Sequence, residues 1–196
     1  EIGGGKSLIA QRLAFGLAEN GTKVALVTTE LTTRGWLEQV DSIGYGMSNY
    51  IDKGQFLLMS RFGVLTEEVE VEITIDDLLA NEGLKAADFV IIDRASQLIP
   101  KETNPSALLS AIRKFTAEGR TLMLCMDTDE VDPSLIREIK GSAEVVLGLL
   151  STTQGGQLNR TLAVTRFLRA AGPVQARIGW RVEPSMGFIV DITAVS

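Results

Sequence analysis

The first seven residues, Glu1-Ile2-Gly3-Gly4-Gly5-Lys6-Ser7, fit the last seven positions of the phosphate-binding pattern G-x-x-x-x-G-K-[ST]. In such a loop the glycines let successive backbone N–H groups converge on a β-phosphate. The lysine reaches the β and γ oxygens, and the serine hydroxyl faces Mg²⁺. The helix that follows, opening with Leu8, turns its positive end toward the same anion. This chemistry assigns Gly3, Gly4, Gly5, Lys6, Ser7 and Leu8 to a nucleoside triphosphate and Ser7 to its magnesium. A phosphate loop is fed by a buried strand, so a strand is expected ahead of Glu1 and a natural chain longer than this one.

Two carboxylates end apolar runs further along. Phe89-Val90-Ile91-Ile92 leads into Asp93, where a phosphate-loop site needs a second acid to organise Mg²⁺. That acid usually acts through a water, because the ion gives up its hydration shell reluctantly. The plainer reading is a strand-end acid that caps the following turn. Val24-Ala25-Leu26-Val27-Thr28-Thr29 leads into Glu30, a place for general-base chemistry on water or for a structural acid that binds backbone N–H groups. Asp127 follows Leu124-Cys125-Met126. A carboxylate there would repel a γ-phosphate, so Thr128 or an ordered water is the expected phosphate sensor.

The elements that must position these groups alternate. The 196 residues are 45% hydrophobic and 22% charged, enough for one sizeable core and a single domain over 1–196. Leu8, Ile9, Leu13 and Leu17 recur at helical spacing, and Asn20-Gly21 supplies the stop. Lys23 to Glu30 reads as a buried strand, Thr32 to Gly44 as a helix with Trp36, Leu37, Val40 and Ile43 on one face, and Phe56 to Met59 as a strand. Glu68 to Ile75 alternates as a half-exposed strand would, and its glutamates read as a solvated face. Phe89 to Asp93 has the form of a central parallel strand. Asn104-Pro105 opens a helix that Gly119 ends, Thr121 to Met126 reads as another central strand, and Asp132-Pro133 caps a helix to about Ile139. Val145 to Leu150 reads as a further strand. The pattern then changes, and Leu158 to Phe167, Ala176 to Val182 and Phe188 to Ile192 read as antiparallel strands joined at Gly155-Gly156 and at Glu183 to Gly187. The expected architecture is a doubly wound α/β core with a mostly parallel sheet and an antiparallel C-terminal extension.

Composition also excludes. A net charge of −6 argues against holding nucleic acid by phosphate neutralisation, which needs a basic stripe. With no histidine, the chain has no imidazole base, no histidine-ligated zinc and no histidine pH switch. The single Cys125 sits in an apolar run and reads as core. No apolar run approaches the roughly 20 residues that span a bilayer, and no leader pattern is visible. A cytoplasmic setting is expected.

Taken together, these residues resemble the KaiC-like branch of the RecA superfamily, and within it the ATP-binding proteins at the base of the archaeal flagellum, the archaellum. Thr28-Thr29-Glu30-Leu31-Thr32-Thr33 carries most of the resemblance. The helix ending near Ser42-Ile43-Gly44-Tyr45, the run Phe89 to Asp93 and the closing Val182-Glu183-Pro184-Ser185-Met186-Gly187-Phe188-Ile189-Val190 carry the rest. The resemblance implies a RecA/KaiC-like P-loop fold and the cofactors ATP and Mg²⁺. It also implies a regulatory ring, a homo-oligomer of hexameric type, that docks on the archaellum motor ATPase and its membrane platform at the cytoplasmic base. By the same resemblance Glu30 is the catalytic-type glutamate, Lys6 a catalytic phosphate contact, Asp93 the magnesium acid, and Arg169 an arginine that reaches a neighbouring subunit's γ-phosphate. Arg94-Ala95-Ser96 replaces the small hydroxyl-bearing residues common in the family, and Asp127 replaces a donor-bearing sensor. Both departures point to weak hydrolysis. The alternatives are an active KaiC-like ATPase or kinase and, against the acidic charge, a RecA-type DNA-binding ATPase.

Overall fold

The computed structural model describes residues 5–62, 73–154, 157–183 and 185–191. Gly5 takes φ +87° and caps helix α1 (Lys6–Glu19). Strand β1 (Val24–Thr28), helices α2 (Thr33–Ser42) and α3 (Ser48–Asp52) and strand β2 (Phe56–Ser60) come next. Helices α4 (Ile75–Ala80) and α5 (Glu82–Lys85) precede strand β3 (Phe89–Asp93). A 3₁₀ turn at Ala95–Leu98 leads to α6 (Pro105–Ala117), β4 (Thr121–Leu124) and α7 (Pro133–Ser142). Strands β5 (Val145–Gln154), β6 (Gln157–Phe167), β7 (Arg177–Glu183) and β8 (Gly187–Asp191) follow.

Strands β1 to β4 form a parallel sheet in the order β2-β1-β3-β4. Successive strand residues point to opposite faces, and both faces are covered. Ala25, Val27, Val90 and Ile92 pack with α4, α6 and α7, whereas Val24, Leu26 and Ile91 pack with α1 and α2. On α2, Trp36 is buried and stacks on Phe56 at 5.5 Å between ring centres. The face that α1 turns inward is not the leucine stripe read from sequence. Ala10, Ala14 and Ala18 are fully buried at i, i+4 spacing, while Leu13 is exposed. Small side chains let the helix lie close to the sheet, which leaves the larger ones at the margins.

The second sheet is an antiparallel meander in the order β5-β6-β7-β8. The strand read at Val145 to Leu150 belongs to this sheet and not to the parallel one: as β5 it runs on to Gln154 and pairs with β6 from Val145↔Phe167 to Gln154↔Gln157. Its far end is latched to the first unit. The Tyr45 hydroxyl accepts a hydrogen bond from the Phe188 N–H at 2.7 Å, and β8 packs on α1. Gly187, at φ +70°, lies so close to Tyr45 that any Cβ there would overlap its ring.

Other departures are local. The alternating segment Glu68 to Ile75 lies outside the described residues up to position 72. Its described end is not a strand: Thr74 and Asp77 form a reciprocal capping box, and Ile75 opens α4. Strand β4 stands at the edge of its sheet among the described residues rather than inside it, and Leu122, Met123 and Leu124 are half-buried. Cys125 is buried, as its apolar run implies, and burial pushes its thiol far above the usual range. No helix among the described residues is long and apolar enough to cross a membrane.

Candidate functional site

Parallel pairing brings the carboxyl ends of the strands to one edge. Thr28 and Asp93 are register partners of β1 and β3, so Glu30 and Arg94 emerge side by side just beyond them. The Thr29 hydroxyl donates to the Asp93 carbonyl at 3.2 Å. Beyond β4, Cys125 N–H donates to Ile92 O at 3.0 Å and Ala95 N–H to Cys125 O at 2.8 Å, which carries Asp127 to the same edge. Helix α1 starts there too.

Lys6 Nζ and Asp127 Oδ2 stand 3.4 Å apart, with the Asp127 side chain only 4% exposed. Burial works against the Asp127 charge, but its carboxyl is held below the usual carboxylate range, with Lys6 the leading opposing influence and a hydrogen bond from the Asp129 N–H contributing. Asp93 is shifted the other way. Burial raises its pKa, the Glu30 charge adds to the effect, and hydrogen bonding from Ser7 and from the Arg94 N–H opposes it. Asp93 Oδ1 is buried with no hydrogen-bond partner among the described residues. A buried, unsatisfied carboxylate oxygen beside a serine hydroxyl is a donor set that suits a hydrated Mg²⁺. Ser7 and Asp93 would hold the ion.

That shift has a thermodynamic sign. The folded chain binds the Asp93 proton more tightly than the unfolded chain, so the charged carboxylate costs stability above the folded pKa. The cost fades as the pH falls through that value toward the unfolded one. Asp93→Asn is therefore expected to raise the Tm of the nucleotide-free protein at neutral pH, with the gain shrinking in acid. About 1 kcal/mol corresponds to roughly 2–4 °C in a chain of this size. The same variant should lose the Mg²⁺-dependent part of nucleotide binding. Melting curves across pH and titrations with and without Mg²⁺ check both halves, and an unchanged or lower Tm at neutral pH would contradict the burial penalty.

Among the sequence-predicted residues, Lys6, Ser7, Asp93 and Glu30 come together at this edge. Leu8 is half-buried in the first turn of α1. Gly3 and Gly4 lie outside the described residues. Arg169 sits elsewhere, just past the end of β6 at φ +58°, where it is exposed and ion-paired with Glu144. Thr128, the expected sensor, is exposed after Asp127.

Two groups were not legible in advance. The Trp180 indole, 3% exposed in β7, lies against Gly5, and a Cβ at Gly5 would overlap its ring. The ring stacks on Phe188 at 5.0 Å, and the Arg160 guanidinium lies 5.5 Å from its centre. Nothing in a strand pattern singles out one aromatic as the floor of a loop on a distant helix. The second group is a polar chain. Arg94, at φ +54°, pairs with both Glu30 and Glu130. Ser96 Oγ donates to Glu130 Oε2 at 2.6 Å and accepts from the Asp127 N–H at 3.3 Å. Contacts thus run from Glu30 through Arg94, Glu130, Ser96 and Asp127 to Lys6.

Known proteins resemble this chain in sequence and fold. The archaeal flagellar ATP-binding protein FlaH of Methanocaldococcus jannaschii is 27% identical over 195 residues, covering 98% of this chain and 84% of the relative. FlaH of Sulfolobus acidocaldarius is 25% identical over 197 residues, covering 96% and 84%. The crystal structure of the Methanocaldococcus jannaschii protein superposes with a TM-score of 0.88 over 98% of this chain and 86% of that one. A KaiC-like protein of Pyrococcus horikoshii shares the fold at 18% identity, with a TM-score of 0.76 over 97% of this chain and 86% of that one. The family model described as "ATPase: KaiC" matches residues 1–178. With that match over most of its length, the chain belongs to the KaiC family of ATPases.

Proposed function

We propose that the chain binds Mg·ATP between its phosphate loop and Asp93 and acts as a nucleotide-gated scaffold of an archaellum motor. In this reading ATP assembles it into a ring that docks on the hexameric motor ATPase beneath the membrane platform, on the cytoplasmic side, with slow hydrolysis or none. The observation that carries the reading is the gathering of Lys6, Ser7, Asp93 and Asp127 at the carboxyl edge of the parallel sheet, where α/β proteins bind ligands. Lys6 supplies charge to the β and γ oxygens, Gly3, Gly4, Gly5 and Leu8 contribute loop and helix N–H groups, and Ser7 and Asp93 hold Mg²⁺. When bound there, Mg²⁺ would supply charge neutralisation to the phosphate oxygens. The relatives' names as archaeal flagellar ATP-binding proteins support the setting. Large apolar side chains left exposed on the second sheet, among them Leu150, Leu158, Phe167 and Val190, support a further protein surface packing there.

A ligand held between subunits favours the associated state by mass action. Arg169 pairs with Glu144 within one chain, but both side chains are exposed, and such a pair holds an arginine weakly. Arg169→Ala is expected to reduce ATP-dependent association while leaving ATP binding to the isolated subunit within about twofold, under roughly 0.5 kcal/mol. Light scattering with ATP, ADP and no nucleotide reads this. Equal mass in all three conditions would reject the ring, and wild-type assembly by the variant would leave Arg169 a surface residue.

An active ATPase is the second reading. It is favoured by Glu30, whose charge acts on Asp93 from close range. Sustained turnover within roughly 1–10³ s⁻¹, the usual range of enzymes, would favour it over the scaffold.

A further inference from the structure

We infer that Arg94 is an intramolecular clamp on Glu30, holding that carboxylate out of water activation and keeping the site in a binding rather than a hydrolysing state. This rests on reading the site as one for Mg·ATP.

Three observations converge on it. Arg94 directly follows Asp93 and takes a left-handed backbone, φ 54° and ψ 50°, which an arginine adopts only under constraint. That turn aims the side chain back across the sheet edge, where its two terminal nitrogens are divided between Glu30 and Glu130. The Arg94 side chain is itself mostly covered, at 17% exposure, while the Glu30 side chain is 41% exposed and can still meet a water. Glu130 does not swing loosely either, since its other oxygen accepts from Ser96 Oγ at 2.6 Å. Both ends of the clamp are therefore fastened: one to the loop after β4, the other to the acid after β1.

The consequence follows from what hydrolysis requires. The oxygen of a water forms a bond to the γ-phosphorus while the bond to the departing ADP oxygen breaks, and a proton of that water passes to a carboxylate oxygen. In this chain one of the two Glu30 carboxylate oxygens, Oε1, is engaged by an Arg94 N–H. A carboxylate paired with a guanidinium is a weaker base, because the nearby cation favours its charged form, and the pair fixes the direction in which its second oxygen can meet a water. Arg94 touches no reacting atom in this account. It acts through Glu30 as a positioning residue, and anything that draws Glu130 or Ser96 away from it would release the base.

The test compares wild type, Arg94→Asn and Arg94→Gly, each alone and combined with Glu30→Gln. Asparagine and glycine both accept the left-handed backbone, so the loop keeps its path. ATP affinity is measured by calorimetry, and phosphate release gives kcat and KM. Both single variants are expected to raise kcat by about 10-fold or more, because a released general base is worth roughly 10²–10⁴-fold. KM and ATP affinity should stay close to wild type. In the Glu30→Gln background the rise should vanish, an epistasis that a merely structural arginine would not produce. Turnover that falls or stays constant in both variants would overturn the clamp while ATP binding keeps the site. A rise that survives Glu30→Gln would also overturn it. Failure of wild-type protein to bind ATP at all would remove the nucleotide reading itself.

Discussion

Lys6→Ala is expected to remove most of the affinity for Mg·ATP while the protein still folds. A desolvated lysine facing phosphate oxygens is worth about 2–5 kcal/mol when truncated, which is a loss of roughly 30- to 4,000-fold. The variant has a second effect that the phosphate motif alone does not foretell. Lys6 Nζ is 3.4 Å from Asp127 Oδ2, and the Asp127 side chain is 4% exposed. Deleting the cation strips a buried carboxylate of a counter-charge, at a cost of about 1–3 kcal/mol. The sign with pH follows from the depressed Asp127 pKa. Its stabilising contribution is present above the unfolded pKa and is lost as the pH falls through the folded one, so the deficit of Lys6→Ala should be full at neutral pH and close in acid. Adding Asp127→Asn should restore stability but not ATP binding. Calorimetric titration and thermal melts of the single and double variants separate the two effects, and near-wild-type ATP affinity in folded Lys6→Ala would sink the site.

Trp180→Ala should have the larger effect on the fold. The side chain is 3% exposed, stacks on Phe188 and lies against Gly5, so its removal leaves a void at the junction of the second sheet and the phosphate loop. Truncating a buried tryptophan costs about 3–5 kcal/mol, or roughly 6–20 °C in Tm at this size. Nucleotide binding should weaken with it, because Gly5 loses the surface its left-handed turn rests on. Trp180→Phe should recover part of both. The chain has two tryptophans, so Trp36→Phe leaves Trp180 as the single indole, and its fluorescence should respond to ATP. A stability loss under about 1 kcal/mol would mean that the loop is not seated on the indole in solution.

Much of this site was legible because its parts are local. A glycine run before Lys6-Ser7 fits the phosphate-loop pattern within a few consecutive residues. An apolar strand ending in Asp93 fixes a carboxylate at a strand end, and parallel strands necessarily present such ends together. The helices with clear caps were legible for the same reason: Asn104 and Asp132 each accept the backbone N–H groups of their first turns. Short helices such as α3 and α5 carry too few residues for a period to show. The alanine face of α1 was hidden because periodicity follows the largest apolar side chains, while close helix–sheet contact is made by the smallest.

By itself the sequence determined the phosphate-loop pattern, the alternation of strands and helices, the acids at the ends of β1 and β3, and a family resemblance that the comparisons bear out. Each of these depends on neighbours within a few residues or on one strand's own pattern. Tertiary structure alone decided that Lys6 faces Asp127, that Trp180 floors Gly5, and that Arg94 joins Glu30 to Glu130. Those partners lie 36 to 121 residues apart where a hydrogen bond joins them. Contacts over such separations are set by sheet order and register, which no local pattern encodes.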